Sequence, residues 1–223
     1  MNYITSSVVT RLLQHTRFVQ ECKDAEPDVF LVSCPQVWRE LFSPLHALNF
    51  GIAGDTTCNV LWRLQNGELE NICPKVVVLW VGTNNYEHTA EQVAGGILAI
   101  AQLLTSRLPK AKIVVLGLLP RGERPNPLRE KNTVVNGYLR SWLPRLGRAQ
   151  LLDVSGDFVH SDGAISLQDM FDFLHLTATG YRTMAKPLRP WPSSTFIQRY
   201  VSPAAVGDGG DMSLVSRGGR ALS

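Results

Sequence analysis

Two residues near the end of the chain, Asp172 and His175, have the side chains needed for acid–base chemistry. A histidine can take a proton from a nucleophile, while a neighbouring carboxylate fixes the imidazole tautomer and stabilises the imidazolium. Their close spacing lets one loop, just before a predicted helix at Ala178–Lys186, present both to one site. We predict the acid–base half of a hydrolase triad, although each residue could also be an ordinary surface-loop residue.

Two polar turns could supply hydrogen-bond donors to the same site. Gly51–Asp55 follows the predicted second strand, and Gly82–Asn85 follows the third. In an open parallel sheet, ligands bind at the carboxyl ends of the strands. The N–H of Gly54 and the carboxamide of Asn84 are donors suited to the oxyanion of acyl transfer. Because such residues are also common in plain turns, the prediction depends on all three segments acting together.

Alternating strand-like and helix-like segments must position these residues. Short β-branched runs alternate with longer stretches of helical periodicity, which is typical of βαβ units and a parallel sheet. The predicted strands are Asp28–Val32, Ala47–Phe50, Lys75–Val81, Lys112–Leu116 and Gln150–Leu152. The predicted helices are Thr57–Leu69, Ala90–Arg107, Asn126–Leu143 and Ala178–Lys186. We therefore predict an α/β fold whose parallel sheet of about five strands carries helices on both faces.

Local signals mark where three of these helices begin. Thr89 stands at an N-cap position with Gln92 three residues later, which is a capping-box pattern. Pro127 suits the first turn of a helix, and Thr177 can cap the last one. In the second predicted helix, one apolar stripe faces the core: Val93, Ile97, Ile100, Ala101 and Leu104.

The last part of the chain differs in composition from the rest. Pro187, Pro190 and Pro192 prevent a continuing helix. The segment 206–223 is rich in glycine and serine and has few large apolar residues, so it cannot bury a core. We predict one domain over residues 1–189, followed by a disordered tail over residues 190–223.

Composition excludes several classes of function. The net charge is only +3, and no basic stripe alternates with aromatic residues, so we expect no nucleic-acid surface. No apolar run reaches the ~18–20 residues of a membrane-spanning helix, and the first residues lack a secretory-signal pattern. The cysteines show no metal-type spacing, and we expect Cys58 and Cys73 to be semi-buried thiols. We predict a cytoplasmic protein without metal or cofactor.

Several longer segments resemble a known enzyme family. They are Trp38–Gly51, Val81–Asn85, Gly117–Gly122 and His160–Ser166. With the glycine, asparagine and histidine blocks described above, they resemble the SGNH (GDSL-like) hydrolases. Within these, the chain is similar to the catalytic subunits of the intracellular type Ib platelet-activating-factor acetylhydrolases. The resemblance extends over residues 11–186.

This resemblance implies a fold, an activity and partners. It implies a flavodoxin-like three-layer sandwich and a Ser-His-Asp mechanism, without metal or cofactor, that hydrolyses the sn-2 acetyl ester of platelet-activating factor, an ether phospholipid. It assigns Gly54 and Asn84 to the oxyanion hole, His175 and Asp172 to acid–base catalysis, and Leu174 to a small acyl pocket. It also implies a homo- or heterodimer with a related catalytic subunit, and a WD-repeat regulatory subunit, the lissencephaly protein.

The chain departs from the family where the nucleophile is expected. In the family, the first strand leads through Gly-Asp-Ser and a helix into a Trp-Arg-Glu-Leu-Phe segment. Here Val32 is followed by Ser33–Val37 and then directly by Trp38, so the first block is shortened. Ser33 is the candidate nucleophile, and Cys34 is the other candidate. The alternative is a catalytically silent paralogue or isoform that dimerises and binds the WD-repeat subunit.

Overall fold

The described strands form one parallel sheet. The computed structural model describes residues 13–17, 19 and 47–188 in full and the backbone of residues 29–32. The strands are β1 (Val29–Val32), β2 (Ala47–Asn49), β3 (Val76–Leu79), β4 (Lys112–Leu116) and β5 (Ala149–Leu152). All pairs are parallel, and the order in the sheet is β2-β1-β3-β4-β5. This is the flavodoxin-like order, so the α/β fold predicted from the sequence is confirmed.

Strands β2 and β3 both end earlier than predicted. The predicted strands Ala47–Phe50 and Lys75–Val81 stop in the structure at Asn49 and Leu79. The apolar residues that follow leave the hydrogen-bonded ladder and begin the polar turns of the candidate site. Strand β4 has the predicted bounds. Apolar character alone therefore overestimated strand length next to the site.

Four α-helices cover the sheet in the described residues. They are α1 (Thr57–Arg63), α2 (Ala90–Arg107), α3 (Pro127–Trp142) and α4 (Ala178–Ala185). Residues 13–17 and 19 are also helical. Short 3₁₀ turns follow at Leu143–Leu146, Ser155–Phe158 and Lys186–Leu188. The prediction of one regular helix over Thr57–Leu69 is wrong, because α1 passes into a π-helical turn at Leu64–Glu68 in which Gly67 has a φ of 112°.

The predicted helix caps are confirmed. The Thr89 side chain accepts a hydrogen bond from the Gln92 amide at 3.3 Å, and the Gln92 side chain accepts one from the Thr89 amide at 3.0 Å. Asn126 caps α3 immediately before Pro127, and the Thr177 side chain caps α4. These bonds satisfy amides that the helix itself leaves unpaired. The cap of α4 also marks the end of the loop that carries the predicted acid–base pair.

Two hydrophobic clusters lie on the two faces of the sheet. Alternate β3 residues divide between them: Val77 and Leu79 join the cluster that contains α2 and α3, while Val76 and Val78 join the cluster that contains α4. The predicted apolar stripe of α2 is buried, each member at 0–1% exposure: Val93, Ile97, Ile100, Ala101 and Leu104. The sheet therefore has helices packed on both faces, which gives the three-layer arrangement.

Some predictions concern the surface or fall outside the described residues. Cys58 and Cys73 are exposed, so the expectation of semi-buried thiols is wrong. In the part of the chain that the structure describes, no helix is both long and apolar enough to cross a bilayer. The predicted tail over residues 190–223 and the shortened segment 33–37, including Ser33 and Cys34, lie outside the described residues.

Candidate active site

A cavity of about 190 Å³ lies at the carboxyl edge of the sheet. Its walls come from the turns after β2, β3 and β4 and from the loop before α4. It is lined by Gly51–Asp55, Val60, Trp80–Asn84, Leu118–Pro120, Leu174–Leu176 and Tyr181. Four predicted site residues therefore share one cavity: Gly54, Asn84, Leu174 and His175. Residues that are far apart in sequence meet here because parallel strands end at a common edge.

Asp172 is joined to the cavity through His175. The His175 Nδ1 lies 2.6 Å from the Asp172 Oδ2. The other carboxylate oxygen, Oδ1, accepts hydrogen bonds from the amides of Leu174 at 3.1 Å and His175 at 2.7 Å. With Nδ1 bound to the carboxylate, Nε2 is the nitrogen left to take a proton. The pair thus has the geometry of a base and its orienting acid.

Two opposing effects set the pKa of the Asp172 carboxyl. Partial burial raises it, because removing a carboxylate from water disfavours the charged form. Hydrogen bonds from the His175 amide and ring and from the Leu174 amide favour the charged form and lower the pKa. The balance is a pKa below the ordinary value of 3.8. Asp172 is therefore ionised near neutral pH, as an orienting carboxylate must be.

The loop between Asp172 and His175 is a tight turn with one unusual backbone conformation. Phe173 has a φ of 59°, in the left-handed region that residues with a Cβ rarely adopt. Its carbonyl accepts a hydrogen bond from the Gly122 amide at 2.8 Å. The Arg129 guanidinium in turn donates to the Gly122 carbonyl at 2.6 Å. The turn is thus tied to the segment that follows β4.

The acid–base pair is open to solvent. The side chains of His175 and Asp172 are 64% and 42% exposed. The ring of Phe171 stacks on the His175 ring, with centroids 5.7 Å apart and planes at 16°. The Phe171 amide also donates to the His175 carbonyl at 3.1 Å. The Asp172 carboxylate, one backbone hydrogen bond and one stacked ring therefore hold the histidine.

The two predicted oxyanion donors lie on adjacent turns that contact each other. Gly54 has a φ of 81°, which favours glycine at this position. The Asn84 Nδ2 donates one hydrogen to the carbonyl of Asp55 at 3.0 Å. An amide nitrogen carries two hydrogens, so Asn84 keeps a second donor for a ligand in the cavity. The bond to Asp55 fixes the position of this carboxamide relative to Gly54.

Asn85 has a structural role that sequence reasoning missed. Its side chain is buried, its Oδ1 accepts from the Thr57 amide at 3.1 Å, and its Nδ2 donates to the Thr57 Oγ1 at 3.1 Å. These bonds link the turn after β3 to the start of α1. Nothing in the sequence distinguishes this asparagine from its neighbour, because Thr57 lies 28 residues away.

Lys131 holds the same turn from the other side, and it was not predicted. Its Nζ donates to the carbonyls of Asn85, Tyr86 and His88 at 3.1, 2.8 and 3.0 Å. Burial lowers the pKa of this ammonium, and the nearby Arg121 charge lowers it further. These three hydrogen bonds from Lys131 hold the segment that directly follows Asn84. Arg121 contributes as well, since its Nη1 donates to the Thr83 carbonyl at 2.8 Å.

The remaining cavity wall is mostly apolar. Leu174, predicted for an acyl pocket, lines the cavity with Ile52, Leu118, Leu119 and Tyr181. Such a wall suits a small uncharged acyl group rather than an ion. Within residues 13–17, 19 and 47–188, no group of three or more His, Cys, Asp or Glu could hold a metal ion.

The predicted nucleophile, Ser33, lies outside the described residues, but the strand end that precedes it is described. Val32, the last residue of β1, pairs with Leu79 of β3, and Leu31 pairs with Asn49 of β2. The carboxyl end of β1 therefore lies between the strands that lead to the two oxyanion turns. Ser33 is the next residue in the sequence, followed by Cys34.

Comparison with known proteins confirms the resemblance and the fold. Residues 18–183 match the model of the GDSL-like Lipase/Acylhydrolase family. Over 183 residues, the chain is 67% identical to human platelet-activating factor acetylhydrolase IB subunit alpha2, covering 78% of this chain and 80% of that protein. It is 58% identical over 183 residues to human subunit alpha1, covering 78% of this chain and 79% of that protein.

The similarity in fold extends to solved structures, among them the following two. A GDSL-like lipase from Bacteroides thetaiotaomicron has a TM-score of 0.65 at 21% identity, over 76% of this chain and 92% of that one. A carbohydrate acetylesterase from Sinorhizobium meliloti has a TM-score of 0.55 at 14% identity, over 74% of this chain and 97% of that one. At these identities the likeness shows the fold alone.

Proposed function

Because this chain belongs to the GDSL-like lipase/acylhydrolase family, we propose that it hydrolyses the sn-2 acetyl ester of platelet-activating factor, an ether phospholipid. The observation that carries the proposal is the Asp172–His175 pair, bonded at 2.6 Å, on a cavity that also contains Gly54 and Asn84. The similar relatives are named platelet-activating factor acetylhydrolases, which supports this substrate.

The proposed reaction is acyl transfer through Ser33. The Ser33 oxygen attacks the ester carbonyl carbon while His175 Nε2 takes its proton. The carbonyl oxygen becomes an oxyanion that accepts hydrogen bonds from the Gly54 N–H and the Asn84 amide. When the carbonyl re-forms, the lyso-lipid oxygen leaves with the proton from His175. Water then releases acetate from the serine ester by the same sequence of steps.

Asp172 keeps His175 ready for this reaction. The ionised carboxylate holds the hydrogen on Nδ1 and stabilises the imidazolium that forms when Nε2 is protonated. Its pKa lies below the ordinary value of 3.8, so the carboxyl is charged at neutral pH. Leu174 lies between the two in sequence and lines the apolar wall, which supports a preference for an acetyl group over long acyl chains.

Fluorophosphonate labelling of the purified chain with peptide mapping tests this proposal. We expect a label on Ser33 that disappears in Ser33→Ala and in His175→Ala and persists in Cys34→Ala. Hydrolysis of acetyl and longer-chain esters by the same variants would follow the labelling. Loss of hydrolysis in Cys34→Ala, with hydrolysis retained in Ser33→Ala, would reassign the nucleophile. No label on a cooperatively folded chain would overturn the catalytic proposal and favour a silent interaction subunit.

We also propose that the chain works as part of an assembly in the cytoplasm. The similar relatives are named as subunits, which supports a homo- or heterodimer with a related catalytic subunit. A WD-repeat regulatory subunit, the lissencephaly protein, is the further partner that we propose. Size-exclusion chromatography with light scattering, alone and with each partner, tests this assembly. A single monomeric species in every mixture would contradict it.

A further inference from the structure

A cluster of buried charges lies directly behind the glycine-rich turn after β2. Arg63, Asp55 and Glu68 are 3%, 5% and 0% exposed. The Arg63 guanidinium contacts the Asp55 Oδ2 through Nε at 3.0 Å and Nη2 at 2.9 Å, and the Glu68 Oε1 through Nη1 at 2.5 Å. Nη2 also donates to the Phe50 carbonyl at 3.0 Å. The His15 Nδ1 lies 3.1 Å from the same Glu68 oxygen. None of these residues belongs to the acid–base pair or to the oxyanion donors.

Two of the Arg63 contacts span the turn. Phe50 immediately precedes the turn residues Gly51–Gly54, and Asp55 immediately follows them. One guanidinium therefore binds the chain on both sides of this turn. The turn contains two glycines, and Gly54 has a φ of 81°. Glycine loses more conformational freedom than other residues on ordering, so this turn needs external contacts to hold a single shape.

Asp55 also connects the two oxyanion donors. Its side chain binds Arg63, its backbone directly follows Gly54, and its carbonyl accepts the hydrogen bond from Asn84 Nδ2 at 3.0 Å. A shift of Asp55 would move the Gly54 N–H and the Asn84 carboxamide relative to each other. Removing charges from water costs free energy, and the attraction within a buried ion pair often does no more than offset that cost. Stability alone therefore does not explain an ion pair in this position.

We propose that Arg63 is a positioning residue for the oxyanion hole. It acts through Asp55 and the Phe50 carbonyl to hold the Gly54 and Asn84 donors at a fixed separation. The expected effect on kcat rests on the proposed ester hydrolysis. The ordering of the two turns by Arg63 does not. Preorganised donors stabilise the transition state more than the bound ester, so loss of the positioning contact lowers kcat and leaves KM nearly unchanged.

The structural part is tested by amide hydrogen exchange on Arg63→Met and on Asp55→Asn. We expect faster exchange than in wild type in peptides that cover residues 50–57 and 82–86. The variants should nevertheless remain folded, as their free energies of unfolding will show. Leu104→Ala, a core substitution in α2, is the control for lost stability. Arg148→Met is the control for arginine chemistry, since Arg148 donates to the Thr105 carbonyl away from the site. Equal exchange in these two segments for all four variants would overturn the proposal.

The catalytic part is tested with p-nitrophenyl acetate on the same variants. We expect kcat to fall by about tenfold to a hundredfold in Arg63→Met, with KM changed by less than about threefold. Arg63→Lys keeps the charge but not the bidentate fork, so its kcat falls between those of wild type and Arg63→Met. The two controls should keep the wild-type kcat. A rise in KM at constant kcat would contradict the positioning role.

The two tests separate this inference from the proposed function. An inactive wild-type chain contradicts the proposed hydrolysis, while the exchange measurement still decides whether Arg63 orders the two turns. Asp55→Asn gives a second variant if Arg63→Met does not fold. In an active chain, the kcat effects of Arg63→Met and Asp55→Asn should be non-additive, because both act on one contact. Additive effects would mean that they act separately and would overturn the mechanism.

Discussion

The two halves of the candidate site are built by different means. The turns that carry the predicted oxyanion donors are held by side chains from other elements: the buried Arg63 through Asp55, the buried Thr57 through Asn85, and the half-buried Lys131 through backbone carbonyls. The acid–base loop is largely exposed, and the contacts that aim its histidine come from within the loop. Oxyanion donors need fixed positions before the charge develops, whereas one adjacent carboxylate is enough to orient an imidazole. The half that depends on distant residues is therefore the more vulnerable to substitutions outside the site.

Replacement of His175 by alanine should give the largest effect on activity. The base that activates the nucleophile is lost, and we expect kcat for acetyl-ester hydrolysis to fall by about 10⁴–10⁶. Because the side chain is exposed, the free energy of unfolding should change little. Steady-state kinetics with denaturant unfolding checks both. Retention of more than a few per cent of activity would exclude His175 as the base.

Asn84→Ala tests the other half and should have a smaller effect. It removes one oxyanion donor and the hydrogen bond to Asp55, so we expect kcat to fall by about 10²–10³. Unlike His175→Ala, it should also speed amide exchange in residues 51–55. If exchange in that turn stays at the wild-type rate, the link between the two oxyanion turns is not what orders them.

A matched pair of substitutions at Phe173 tests the local strain in the acid–base loop. Phe173→Ala and Phe173→Gly both remove the ring, but only glycine adopts a φ of 59° without steric cost. We expect the glycine variant to be more stable than the alanine variant by about 1 kcal/mol. Urea unfolding monitored by circular dichroism measures the difference. A more stable alanine variant would show that the turn relaxes out of the left-handed conformation.

The smallest predicted effect concerns pH. The pKa of Asp172 is lower in the folded chain than its ordinary value of 3.8, so its ionised form stabilises the fold above that pH. This contribution is lost as the pH falls through the lowered pKa. Relative to Asp172→Asn, wild type should gain at most about 1 kcal/mol at pH 6, because the carboxylate is partly exposed and screened. The gain should shrink as the pH is lowered below 3.8. An unchanged difference across this range would contradict the lowered pKa.

The features that could be predicted from the sequence are those that depend on contacts within a short segment, as in the acid–base loop. The Asp172–His175 pair, the Thr89 cap and the α2 stripe depend on residues within a few positions of one another, and local spacing revealed them. Asn85 and Lys131 could not be found in this way, because their contacts join residues 28 and 46 positions apart. The break after α1 had a local signal, since an Asn-Gly pair inside a helical pattern favours a turn.

The sheet order has a consequence for engineering. Backbone pairing with β2 and β3 fixes β1 along its whole length, from Val29 to Val32. The oxyanion turns are anchored through Arg63, Thr57 and Lys131, which belong to α1 and α3. The strand end and the predicted donor half of the site are thus held by different contacts. We expect that new sequence grafted after Val32, with a serine, cysteine or unnatural nucleophile, would lie beside the predicted donor pair Gly54 and Asn84 without disturbing the contacts that hold it.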